Sequence, residues 1–201
     1  WGIAVNEALN VEYALLIPEF ILAGTAGVVL LVDAFRRDLN ISRRFVPALA
    51  VLGAVVSGIV SVFYFDRNTD FAGLIGVDDY TLFFRVLFTA TVVVVILGSH
   101  EFVERNIRHQ GEFYALLLVS TVGAIYMAAA QELLTAYIAI ELLSFSLYVG
   151  VSLAKDDRRS GEAGLKYVLL GGLASAILLY GLSLIYGTAG TTTYEGIAAA
   201  F

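Results

Sequence analysis

An all-α bundle, a polytopic membrane protein with six transmembrane helices, is the architecture this sequence predicts, and three observations carry it. Of the 201 residues, 59% are hydrophobic and mean hydropathy is +0.84, against an apolar share of about 45–50% in ordinary soluble domains. The excess falls into blocks of about 20 residues, the length at which a helix rising 1.5 Å per residue crosses a hydrocarbon core of roughly 30 Å. Charged residues gather between the blocks, and no block shows the alternation expected of a membrane strand.

Taken in order, the apolar runs between charged punctuation predict spans at about Tyr13–Ala34, Phe45–Phe65, Tyr80–Ser99, Phe113–Ala130, Leu133–Ala154 and Ala163–Thr188. Only Gln131 and Glu132 separate the fourth span from the fifth. That spacing demands a tight antiparallel hairpin, unless the two spans are one bent element. In the sixth span Gly171 with Ser175, and Gly172 with Ala176, repeat small residues four apart, a pattern for close helix packing.

Lys and Arg set the orientation. Arg36, Arg37, Arg43 and Arg44 follow the first span, Arg105 and Arg108 the third, and Lys155, Arg158 and Arg159 the fifth. The alternate loops hold only Arg67, among Asp66, Asp70, Asp78 and Asp79. A bias of nine to one puts the basic loops in the cytoplasm and both chain ends on the other side. The chain starts at Trp1 without the basic start and apolar centre of a signal peptide and stops at "GIAAAF". Both ends are expected to be cut from something longer.

Composition excludes several chemistries. There is no cysteine, hence no disulfide and no thiolate-held iron–sulfur or zinc site in this chain. The two histidines, His100 and His109, fall in one polar loop, so no cofactor or metal is expected inside the membrane. A net charge of -6 argues against nucleic acid and leaves the lipid bilayer as the first partner. No P-loop, nucleotide fingerprint or catalytic triad is present.

Charges inside the spans are therefore the candidates for function. Glu141 lies eight residues past Leu133, roughly 12 Å along a helix and out of snorkelling reach of either end. Tyr137, Ser144 and Tyr148 share its face as a polar stripe. Such a carboxylate costs on the order of 2.5–3.5 kcal/mol to insert. It serves either as helix–helix glue or as a titratable group on an ion path whose ionisation a moving cation controls. Lys166, close to the start of the sixth span, either snorkels or pairs with Glu162, or acts as a proton intermediate between the cytoplasmic face and Glu141. Arg85 is expected to reach Asp78 or Asp79. Glu19, after Pro18, marks a helix distortion or a polar contact, and Asp33 is expected at the interface.

Three stretches carry a family resemblance. "LLIPEFILAGTAGVVLLVDAF", "VDDYTLFFRVLF" and "ELLTAYIAIELLSFSLYVGVSLAKDDRRSGEAGLKYVLLGGLASAILLYG" resemble the first, third and fifth-to-sixth spans of subunit N of respiratory complex I. The resemblance covers nearly the whole chain in order, and its Glu…Lys segment is highly specific. It implies part of a roughly 14-helix antiporter-like fold, with residues 1–112 forming an extracytoplasmic segment and three peripheral helices. Residues 113–201 would be the first three helices of the first antiporter-like repeat. Matched residue by residue, Glu141 takes the family's fifth-helix glutamate and Lys166 its sixth-helix lysine. The seventh-helix lysine that usually partners this glutamate would fall beyond Phe201.

The expectation is a proton-translocating membrane subunit of a redox-driven NADH:quinone oxidoreductase-type complex, with no redox chemistry of its own and other membrane subunits as partners. Glu141 and Lys166 form its relay, supported by Tyr137, Ser144, Tyr148, Glu19 and Arg85. The rival readings are a subunit of a cation/proton antiporter or membrane-bound hydrogenase, and a purely structural anchor. Residence is expected in a prokaryotic plasma membrane.

Topology is directly testable. Cysteines replacing Arg43 and Asp70 are expected to react with impermeant maleimide from opposite faces of sealed vesicles; labelling from one face contradicts six alternating spans.

Overall fold

Caps and charge pairs, rather than hydropathy alone, decide where each helix starts and stops. The computed structural model describes residues 13–36, 42–63, 69–71 and 73–201; Arg37, Asp66 and Arg67 of the orientation argument lie outside them. After a single 3₁₀ turn at Tyr13–Leu16, α1 runs Ile17–Phe35. Its start is four residues later than the apolar run suggests because Pro18 occupies the first turn, where a missing N–H costs nothing. Glu19 therefore sits in the first turn of α1.

Helix α2 spans Phe45–Val62. Asp78 caps α3, Asp79–Asn106, by accepting from the Thr81 N–H at 2.8 Å. At 28 residues α3 extends beyond the expected end at Ser99, and its polar last turns are supported by an Arg105–Glu101 pair four residues apart. His100 thus belongs to the helix and not to a loop. Helices α4, Gln110–Ala129, and α5, Leu133–Val151, follow as separate elements. Ala130 and Glu132 are extended between them, which makes the pair a hairpin and excludes one bent helix. Asp157 caps α6, Arg158–Ala189, and left-handed Gly190 (φ 71°) ends it. A short α7, Tyr194–Ala200, closes the chain.

Six of these helices, α1 to α6, are long and apolar enough to cross a membrane, so this is an integral membrane chain. Antiparallel β1, Thr69–Phe71, and β2, Ile75–Val77, form the one two-stranded sheet among the described residues, a small addition to the expected all-α fold. This hairpin marks one end of the bundle. The connections at 107–109 and 152–157, with Arg108 and Lys155, mark the other.

The hairpin end is stitched by main chain. Gln131 N–H donates to Leu74 O at 2.9 Å, Leu133 N–H to Thr192 O at 2.9 Å and Tyr194 N–H to Gln131 O at 3.2 Å. The α4–α5 linker is thereby held between the hairpin turn and the segment leading into α7.

Helix α4 is the hub, packing against α1, α2, α3 and α5. Leu22, Ala26 and Val29 of α1 recur every three or four residues and meet Tyr114, Leu118, Val122 and Ile125 of α4. In lipid the apolar effect gives little reason for helices to associate, so close van der Waals contact must hold them. Gly123 supplies it: a Cβ there would stand 2.7 Å from Leu143 N and 2.9 Å from Ala139 O. By contrast α6 packs on α5 through Gly164 and Gly171 and leaves most of its side chains uncovered. Of the two small-residue pairs, the Gly171 face is the packed one. A Cβ on Gly172 meets nothing within 4 Å among the described residues, so its expected close contact is absent here.

Because α4 meets α5 backbone to backbone, Gly123→Val is expected to destabilise the protein by about 1–3 kcal/mol. Gly98→Val, where a Cβ meets open space, is expected to be near neutral. Thermal unfolding in detergent compares the two.

Candidate functional site

Two charged groups that the sequence left apart meet in the hairpin half of the bundle. Arg85, on the second turn of α3, donates from Nε to Glu19 Oε1 of α1 at 2.7 Å, and its Nη2 lies 2.7 Å from the same oxygen. The side chains are 0% and 1% exposed. Asp78 is committed to the α3 cap, so the expected Arg85–Asp78 or Arg85–Asp79 contact gives way to an interhelical pair. Charge in hydrocarbon survives only when paired, and a capping aspartate at the helix tip cannot follow Arg85 inward.

A hydroxyl layer surrounds the pair. Ser57 of α2 donates to Pro18 O at 2.8 Å, Ser61 to Ser57 O at 2.9 Å and Thr89 to Arg85 O at 2.8 Å. Glu19 Oε2 and Arg85 Nη1 have no hydrogen-bond partner among the described residues.

Glu141 is a different kind of group. It is half-buried near the middle of α5, on the turn whose backbone rests against Gly123. Its Oε1 is buried and without a hydrogen-bond partner. No donor reaches it among the described residues, and a buried acceptor left unpaired costs about 1–3 kcal/mol.

The polar stripe is not one connected chain. Tyr148 turns to α6, where its hydroxyl meets the position a Cβ on Gly171 would take and its ring lies edge-on to Tyr167 at 4.7 Å. Tyr137 and Ser144 are half-buried beside Glu141 and make no side-chain hydrogen bond among the described residues. Lys166 does not reach Glu141. It is exposed on the third turn of α6 and pairs with Glu162 at 2.6 Å, the plainer of its two expected roles.

Some polar sites escaped the sequence reading. At the hairpin end, buried Glu132 accepts from Thr135 at 2.9 Å and from Thr192 at 2.6 Å. Burial pushes the nearby Tyr194 phenol up, and Glu132 adds to that shift. An acidic residue three before a threonine at a helix start was the available signal. At the basic end Asp33, in the last turn of α1, is buried between helices, with Arg36 Nε at 3.7 Å and His109 Nδ1 at 3.9 Å. Its α1 turn packs against Gly111 of α4. No cluster of three His, Asp or Glu residues suited to a metal occurs among the described residues.

Comparison with known proteins gives this geometry a context. Residues 130–201, which contain Glu141 and Lys166, match the family described as NADH:quinone oxidoreductase/Mrp antiporter, transmembrane. NADH-quinone oxidoreductase subunit N of Dehalococcoides mccartyi is 40% identical over 185 residues, covering 91% of this chain and 37% of that protein. Subunit N of Heliobacterium modesticaldum is 39% identical, covering 94% of this chain and 40% of the relative. The chain thus spans about two-fifths of these relatives' length. Among solved structures, a chain of the Thermus thermophilus respiratory complex I with bound aureothin superposes with a TM-score of 0.69 at 25% identity, covering 91% of this chain and 41% of that one. A chain of the membrane-bound sulfane sulfur reductase, an archaeal respiratory membrane complex, shares the fold with a TM-score of 0.74 at 18% identity, covering 92% of this chain and 39% of that one.

The ion pair makes a sharp stability statement. Glu19→Gln strands Arg85 in the bundle and is expected to cost about 3–5 kcal/mol. The double variant Glu19→Leu/Arg85→Met is expected to recover much of that loss in thermal or denaturant unfolding of the purified protein.

Proposed function

From its similarity to the N-terminal portion of NADH-quinone oxidoreductase subunit N, we propose that the chain is part of a proton-translocating membrane subunit of an NADH:quinone oxidoreductase-type complex. It carries no redox centre and needs no cofactor of its own. Its partners are the other membrane subunits of the assembly, and its site is a bacterial plasma membrane with the basic loops in the cytoplasm. Residues 1–112 supply an extracytoplasmic segment and the three peripheral helices α1–α3. Residues 113–201 supply the first three helices of an antiporter-like repeat.

One observation carries the mechanism: Glu141 places a carboxylate oxygen in the bundle with no donor to satisfy it among the described residues. A carboxyl group can take up a proton and release it, and an approaching cation favours the released form. Loading and release are then one switch, operated by moving positive charge. Tyr137 and Ser144 flank Glu141 and can position water, since a hydrogen bond spans only about 3 Å. Lys166, paired with Glu162 at the cytoplasmic side, is the entry group from which protons move inward to Glu141. Glu19 and Arg85 act as the fixed counterpart, a permanently compensated pair holding the peripheral helices.

Glu141→Gln keeps shape and polarity but cannot release a proton. In the assembled complex containing the full-length chain, it is expected to lower membrane-potential formation per electron transferred in inverted vesicles, at unchanged complex abundance. Glu141→Asp is expected to retain part of the activity, and Lys166→Ala to cost less than Glu141→Gln. Normal pumping in a well-assembled Glu141→Gln complex assigns Glu141 to helix packing and ends this reading.

A further inference from the structure

Two grooves run along the same seam, between α2 and α3, and they differ in one respect. The groove in the hairpin half, of about 470 Å³, is walled by apolar and small residues with Thr89 and carries no charge. The groove in the basic half, of about 640 Å³, has equally apolar walls in Val51, Leu52 and Val55 of α2 and Ile96 and Leu97 of α3. It alone ends in polar groups, Arg44 and His100. From Arg44 to Val55 the α2 axis rises about 16 Å, which matches the half-thickness of a roughly 30 Å hydrocarbon core. The groove is thus one leaflet deep and cationic at its mouth.

Arg44 is available to a ligand. Among the described residues its guanidinium makes no ion pair or hydrogen bond, whereas Arg36, Arg85, Arg105, Lys155 and Lys166 all face a carboxylate. His100 flanks the mouth, its Nδ1 3.4 Å from the Tyr114 hydroxyl and its Nε2 4.0 Å from Glu104.

We propose that this groove holds one anionic phospholipid of the basic-side leaflet, its acyl chain along Val51, Val55 and Leu97 and its headgroup phosphate on Arg44. The charge asymmetry between the two grooves selects this occupant. A purely apolar partner would have no use for the cationic mouth, and a zwitterionic lipid gains less from it. Arginine suits the role because its fork of donors matches phosphate oxygens in pairs.

The test uses the assembled complex with the full-length chain, in nanodiscs of phosphatidylcholine doped with phosphatidylglycerol bearing a photoactivatable acyl chain. Peptide mapping after illumination is expected to find adducts on α2 and α3 around Val51, Leu52, Val55 and Leu97. Arg44→Gln is expected to lower the adduct yield per chain about fivefold, the scale set by one interfacial cation. Arg44→Lys is expected to retain most of it, and Arg158→Gln to leave it unchanged. Equal labelling by a phosphatidylcholine probe, indifference to Arg44→Gln, or a groove left unlabelled because a neighbouring subunit covers it would each overturn the assignment.

Discussion

A bilayer offers buried charge no water, so every ionised group in this bundle needs a partner, and the Glu19–Arg85 pair shows how far that requirement reaches. For the two heads to meet at 2.7 Å, α1 and α3 must each be rotated to one phase about their axes. Ser57 then binds the carbonyl of Pro18, which sets the phase of α2. With three helices oriented, the apolar row of Leu22, Ala26 and Val29 faces α4. A single paired charge thus determines which side of each peripheral helix becomes core and which meets lipid or another subunit.

Those requirements explain what was legible in the sequence and what was not. All six spans were readable because length and hydropathy are local properties, and the structure shifts their ends by only a few residues except at α3 and α6. Both of those run on into polar sequence, where Asp157 and the Arg105–Glu101 pair support helix that hydropathy does not register. The Arg85 partner was unreadable for a different reason: Glu19 is 66 residues away in sequence, and only the packing of α1 and α3 on their shared neighbours α2 and α4 brings it near. Local candidates such as Asp78 looked better on spacing alone. Glu141 could be singled out because isolation in an apolar run is itself a sequence pattern. Its unpaired oxygen could not, since that depends on what the facing helix fails to provide.

The bundle is also unequal from one side to the other. Helix α4 is enclosed on several sides, while α6 presents Leu169, Leu170, Leu173 and Ile177 outward, all well over half exposed. Glu141 lies on the helix between them. One side of α5 is therefore set by a backbone contact at Gly123 that leaves no slack, and the other by α6, whose contacts rely on two glycines and a tyrosine. The relay glutamate proposed here sits where a rigid part of the structure borders a more loosely held one.

The main-chain stitching of residues 130–133 to Leu74, Thr192 and Tyr194 has a mechanical consequence. It joins the ends of α4, α5 and α6 on the hairpin side by directional bonds, whereas the same helices at their other ends are linked by short loops and side-chain pairs. Helix α6 is held at its basic end as well, where Ser160 Oγ donates to Val151 O at 2.7 Å and Gly164 closes on Ser152. At 32 residues it is about 48 Å long, so it is supported near both ends like a beam, and the stretch beyond Gly171, whose side chains are mostly uncovered, is the part with room to bow.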